Sequence, residues 1–308
     1  GQLKAEVAVN TMGLMSYDLL NLGSREFNYG TGFLRGDEFL CNTTATFTLP
    51  TVSANIVYVD TGLPVTQSFY SKELGSFKIG IPGIVSKEYE DSIINSNSIN
   101  SREVQVLDEE VALSEEVSKF REEVDILVVL ANVGMERCQT LAREVEGIDV
   151  IVCSGADATT TEPLLVNGVY LVQAGYEGQH IGSLVLSLDK DHSIMNADNE
   201  IVALDDRIDD GQEDINTVVN YYYACLEEFK ELLLDIEQSE PSEGGTYTGY
   251  LLCSQCHPDQ TDQWLDTPHA DAFSSLRKRV QDYNPECVPC HTTGFGYSGG
   301  FIIPYLTS

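Results

Sequence analysis

Cys253-Ser254-Gln255-Cys256-His257 and Cys287-Val288-Pro289-Cys290-His291 repeat one pattern, C-x-x-C-H, near the end of a 308-residue chain. Two thiols three residues apart can bond to the two vinyl groups of one porphyrin, and the adjoining His can then ligate the iron. One copy alone reads equally as a redox dithiol or half of a zinc site. Two copies close together in a small acidic module favour covalent c-type haem. A zinc ribbon would use the four thiolates and leave both adjacent His residues idle. Cys253, Cys256, Cys287 and Cys290 are therefore the expected tethers of two haems, with His257 and His291 as proximal iron ligands.

Whether each iron is closed or open depends on the supply of histidine. The chain has five, so His180, His192 and His269 remain as distal ligands. His269 is favoured, because Trp264-Leu265-Asp266-Thr267-Pro268-His269 places it one short helix beyond the first motif. A second bis-His iron would need another His; His180 is the candidate for it, or a His of a neighbouring subunit. Cys41, Cys138, Cys153 and Cys225 could form disulfides or stay as buried thiols.

The elements that must carry these residues follow from composition and periodicity. The formal net charge is -32, from 17 Lys+Arg and 49 Asp+Glu, and 42% of residues are hydrophobic. That is a globular composition. Nucleic acid and anionic lipid are excluded as partners by like charge. No apolar run approaches the length of a membrane span, and Gly1-Gln2-Leu3-Lys4 does not open a signal peptide.

Residues 1–200 read as an alternating α/β domain. Strands are expected at Asp18–Leu22, Ala54–Val59, Phe77–Ile81, Asp125–Leu130, Asp149–Cys153, Val169–Gln173 and Ser183–Leu188. Helices are expected at Leu3–Met12, Leu107–Glu122 and Met135–Glu146. Residues 201–249 form an acidic connector, a helix at Asn216–Ile236 and a Ser/Glu/Pro/Gly-rich linker. The acidic run from Asp205 to Asp214 lacks the ligand spacing of a calcium loop, so it reads as a solvated face. Residues 250–308 are too few and too polar for a large core and need a covalent or metal staple.

The last segment resembles the haem domain of the tetrahaem cytochrome c family of ammonia oxidisers, within the multihaem cytochromes c. Gly249-Tyr250, Cys253 to His257, Pro258, Trp264, Thr267-Pro268-His269-Ala270, Ala272-Phe273 and Cys287 to Phe295 carry the likeness. It implies bis-His, low-spin haems for electron transfer, with His269 as an axial ligand. It also implies attachment outside the cytoplasm, in a prokaryotic periplasm, at the cell surface or beyond it. The chain stops at Ser308, where the family usually continues into further motifs, which leaves a two-haem module.

The first domain resembles the calcineurin-like metallophosphoesterases of the 5'-nucleotidase type. Tyr17 to Gly30 follows the segment that in the family reads G-N-H-E-F-D-Y-G, with further matches at Ser53-Ala54-Asn55, Val128 to Gly134, Gly147 to Gly155, Val166-Asn167-Gly168 and Gln173-Ala174-Gly175. The implied architecture is a calcineurin-like phosphoesterase sandwich, its first strand missing, followed by a small, mainly helical and coil dihaem cytochrome c domain. The family holds two metal ions, but Ser24, Arg25, Asn132, Gly155 and Asp157 stand where most of its ligands and its catalytic His would be, and the early D-x-H strand is absent. The resemblance thus implies a catalytically inactive scaffold.

The leading expectation is an electron-transfer protein outside the cytoplasm, not an enzyme, whose partners are redox proteins or an extracellular electron acceptor. A second is self-association into a filament through an open sheet edge and the apolar tail from Phe301 to Leu306. Two enzyme readings stand against these: a residual phosphoesterase, and a haem enzyme with an open iron position.

Overall fold

The computed structural model describes residues 2–29, 49–94, 103–155, 158–205, 207–208, 213–234, 247, 249–278, 282, 284, 287–295 and 300–301. It divides into two compact units, one built on Ala8–Gln212 and the other on Leu3–Val7 with Glu213–Ser308. In chain order the elements up to Gln212 are α1 (Gln2–Leu14), β1 (Leu20–Asn21), β2 (Thr51–Val52), β3 (Ile56–Tyr58), β4 (Phe69–Leu74), β5 (Phe77–Val85), α2 (Glu90–Ile94), β6 (Val104–Val106), α3 (Glu109–Phe120), β7 (Ile126–Asn132), α4 (Met135–Glu144), β8 (Val150–Ser154), β9 (Leu164–Val166), β10 (Val169–Val172), β11 (His180–Leu188) and β12 (Ile194–Ala203).

The larger unit is organised on a sheet of order β4-β5-β7-β8-β10-β9. Its four inner strands are parallel, and β4 and β9 add antiparallel edges. Inner strands of a parallel sheet are covered on both faces, which is why Ile126–Asn132 and Val150–Ser154 are such apolar runs. Successive residues of β5 face opposite ways. Ile84 joins a core with Leu113 and Val117 of α3, Cys138 and Leu141 of α4, and Leu127, Val129 and Ile151 of the sheet. Its neighbour Val85 joins a second core with Leu22, Phe27, Ile56, Ile93, Val104 and Val106.

Local chemistry fixes the connections. Asp108 caps α3 by accepting from the amides of Glu110 and Val111. Asn55 stands in for a strand partner: its side-chain amide donates to the carbonyl of Val85 at 2.7 Å and its oxygen accepts from the Val85 amide at 3.0 Å. Asp149, just before β8, accepts from the Leu127 amide at 2.8 Å and pairs with Arg121 at 3.3 Å. Burial raises its carboxyl pKa against those two stabilising contacts.

The α/β expectation is correct, and all the strand expectations fall on strands, some with shifted ends. Five further strands lie outside the expectation: the short β2 and β6, the edges β4 and β9, and β12. The edge strands β4 and β9 carry weak period-two patterns, because half or more of each is exposed. In β12 the polar residues Asn196, Asp198, Asn199 and Glu200 mask the strand; they are accommodated because β11 and β12 form a two-stranded ribbon with little burial.

The smaller unit contains α5 (Glu213–Leu234), α6 (Tyr250–Cys253), α7 (Pro258–Leu265), α8 (Ala272–Lys278) and α9 (Val288–His291). Its described core is small, with Leu276 and Val288 buried, as a short polar module leads one to expect. Among the described residues no helix is long and apolar enough to cross a membrane.

Candidate functional site: two C-x-x-C-H turns

Both motifs fold as the same single turn. In the first, the amides of Cys256 and His257 donate to the carbonyl of Cys253 at 3.2 and 2.9 Å. In the second, the amides of Cys290 and His291 donate to the carbonyl of Cys287 at 3.2 and 3.1 Å. A turn closed in this way sets the second cysteine one helical turn beyond the first, so both thiols fall on one side with the His directly after them. Pro258 at the start of α7 and Pro289 early in α9 support the turns, since each sits where a helix needs no amide donor.

The surroundings of each turn differ. Cys253, Cys256 and His257 are exposed, next to a run of uncovered apolar surface that includes Leu251 at 69% and Leu252 at 54% exposure. Tyr250 and Trp264, with ring centroids 5.0 Å apart, join α6 to α7 at the same place. At the second turn, Val288 and Leu276 are buried and Phe273 packs on Phe301 with centroids 4.4 Å apart. Gly294, at φ +69°, has its α-carbon against the ring of Tyr247, where a β-carbon would come within 2.7 Å of ring atoms.

His291 has a defined tautomer. Its Nδ1 lies 2.9 Å from the carbonyl oxygen of Ala272 and 3.3 Å from Ser275 Oγ. A carbonyl can only accept, so Nδ1 carries the proton and Nε2 keeps its lone pair for a metal. That is the pattern of a metal-ligating His held by a second hydrogen bond. Paired thiols followed by a His, with uncovered apolar surface at the first turn and a held tautomer at the second, are a donor set that fits covalently held haem. His269 is exposed in the turn between α7 and α8, where its carbonyl accepts from the Ala272 amide at 3.4 Å.

His180 belongs to the larger unit, at the start of β11, with Nδ1 buried and without a hydrogen-bond partner. His192 is used otherwise: its Nδ1 bonds Asp125 Oδ1 at 2.5 Å and its ring meets Phe77 edge-on. Cys138 and Cys153 lie in the sheet core, where contact with Cys138 and burial raise the Cys153 thiol pKa. Cys225 is also buried, and Cys41 lies outside the described residues.

The phosphoesterase-like segments converge at the carboxyl ends of the parallel strands, the usual place for a ligand site in such a sheet. Asn132 is level with Val85 and Ser154 in register. Its side-chain amide fills the space on both sides: a β-carbon on Gly23 would lie 2.7 Å from Nδ2, and one on Gly155 would lie 3.0 Å from Oδ1. Arg25 donates to the Tyr176 hydroxyl at 3.3 Å, which raises its already high pKa. Asp157 lies outside the described residues. Among the described residues no three His, Cys, Asp or Glu side chains gather to hold a metal ion. The amide and guanidinium groups found here do not fit a two-metal centre.

The chain thus joins an α/β unit of the 5'-nucleotidase and metallophosphoesterase fold to a helical cytochrome c module. Residues 252–308 match the family model described as cytochrome c554 and c-prime. Cytochrome c-554 of Nitrosomonas europaea is 38% identical over 20% of this chain and 34% of its own length. The 5'-nucleotidase of Diplobatis ommata is 27% identical over 65% of this chain and 37% of its own length. The chain therefore spans about a third of each of these relatives. Among solved structures, the sulfate thiohydrolase SoxB of Thermus thermophilus is 20% identical with a TM-score of 0.63, covering 73% of this chain and 40% of that one. A 5'-nucleotidase precursor of the same species is likewise 20% identical, with a TM-score of 0.61, covering 74% of this chain and 47% of that one.

The thiols and their His residues are legible in the sequence, whereas the Ala272 and Ser275 contacts to His291 are not, because they join residues 16 and 19 positions apart and one of them uses a backbone carbonyl.

Proposed function

We propose that the protein is a dihaem c-type cytochrome that passes single electrons outside the cytoplasm, with the phosphoesterase-like unit serving as a catalytically inactive scaffold. The observation that carries this reading is the shared backbone hydrogen bonding of the two motifs, which closes the same turn over two Cys and a His in each. Bound haem would supply a one-electron iron couple. The chain's own residues do the rest. Cys253 and Cys256 tether one group and Cys287 and Cys290 the other; His257 and His291 ligate; His269 completes one iron. His180 is the candidate distal ligand of the second. The exposed apolar residues Leu251 and Leu252, just before the first motif, would shield the first group from water, which favours the less charged iron state.

Intact-mass measurement of holoprotein exported from a host with haem-attachment machinery should find two haems. Cys253→Ala with Cys256→Ala, and Cys287→Ala with Cys290→Ala, should each remove one. The absorption spectrum should be low-spin, and His269→Ala should make one haem high-spin. Bound zinc without haem would overturn the reading, and a high-spin iron in the unmodified protein would favour a haem enzyme. Hydrolysis of nucleotide phosphoesters with added divalent metal, above a blank, would overturn the scaffold role.

Assembly into a filament is a second reading, favoured by the ribbon β11–β12, which exposes Ile181, Val185 and Met195. Electron microscopy of protein shed from native cells decides it: discrete particles would exclude polymerisation as the working form.

A further inference from the structure

We propose that Ser275 sets how electron-rich the His291 ring is, and through it the reduction potential of the haem held at Cys287 and Cys290. This rests on the haem reading above. Three atoms meet where α8 packs on α9. The Ser275 hydroxyl donates to the carbonyl oxygen of Ala272 at 2.6 Å, and Nδ1–H of His291 donates to that same oxygen at 2.9 Å. Ser275 Oγ and His291 Nδ1 are themselves 3.3 Å apart. One carbonyl therefore serves two donors, and the shorter bond goes to the serine.

The consequence has a sign. A strong acceptor on Nδ1–H raises the basicity of the other ring nitrogen toward a metal. A more basic ligand favours the oxidised iron, which lowers the potential at which it takes up one electron. The serine hydroxyl draws on the carbonyl's lone pairs and leaves a weaker acceptor for His291. Its own oxygen, at the longer distance, compensates only in part. Ser275 thus holds the potential up. It is a positioning residue, since it acts through the Ala272 carbonyl and the His291 ring. Its neighbour Ser274 is bonded to Asp271 instead and has no such route.

Spectroelectrochemical titration of the holoprotein tests this, with the electrode supplying and removing the electron. Ser275→Ala should lower one of the two midpoints and leave the other unchanged. A tenfold change in the oxidised-to-reduced ratio at fixed potential, about 59 mV for a one-electron couple, is the expected scale. Ala is the stronger helix former, so α8 tolerates the change. Ser275→Thr keeps the hydroxyl and should restore the original midpoint; Ser274→Ala should not move it. An unmoved or raised midpoint in Ser275→Ala with haem attached at Cys287 and Cys290 would overturn the inference alone. Absence of haem from that peptide in the unmodified protein would overturn the haem reading and the inference with it.

Discussion

At His291 a backbone carbonyl decides which ring nitrogen bears the hydrogen, and at Asp125 a backbone amide favours the ionised carboxylate. The Asp125 carboxylate accepts from the Lys78 amide at 2.7 Å and bonds the ring of His192. These contacts, the amide first, hold its carboxyl below the ordinary value of 3.8. A carboxyl depressed in the folded state contributes stability that is fully present above its unfolded value. That contribution is lost as pH falls through the lower, folded value. Asp125→Asn should therefore lower the melting temperature at neutral pH. The gap from the unmodified protein should narrow as pH drops below 3.8. Thermal melts across the acid range check this; a gap independent of pH would mean that the ionised carboxylate is not what the bond uses.

At the scale of elements, α4 shows how packing outweighs surface chemistry. Arg137 bonds the exposed Glu110 and Glu144 on its outer side, and such exposed pairs are worth little individually. Leu141, on the inner side, is fully buried against the sheet with Cys138 and Ala142. Leu141→Ala should cost about 2–5 kcal/mol, the transfer term plus a cavity the rigid sheet cannot close. Denaturant unfolding followed by far-ultraviolet circular dichroism measures it. Among the described residues of the smaller unit, no helix after α5 exceeds the 8 residues of Pro258–Leu265, too short to be stable alone. Their order depends on what joins them: the Tyr250–Trp264 contact, the α8–α9 hydrogen bonds and, on the proposed function, the covalent tethers.

For the whole molecule the dominant quantity is the formal charge of -32. A field of that size steers cationic partners toward the surface and repels anionic ones. Reduction of a small basic redox protein should therefore be fast at low salt. It should slow by about tenfold or more as the screening length contracts from about 30 Å at 0.01 M to about 10 Å at 0.1 M. Stopped-flow rates at the two ionic strengths test it, and a rate indifferent to salt would remove the acidic surface from the encounter.

By itself the sequence determined what depends on neighbours along the chain. The C-x-x-C-H turns are legible because five consecutive residues contain the thiols, the His and the hydrogen bonds that shape them. The inner strands are legible because burial on both faces writes a continuous apolar run. Tertiary structure decided what depends on residues far apart. The side chain of Asn132 occupies the space between Gly23 and Gly155 only because β1, β7 and β8 end at the same side of the unit. The Ala272 carbonyl reaches His291 only because α8 packs on α9. The edges β4 and β9 escaped the sequence because exposed residues fall on both faces of each strand, and β12 because its exposed residues are strongly polar. A backbone atom, whatever residue it belongs to, looks the same in sequence, so packing alone assigns its partner.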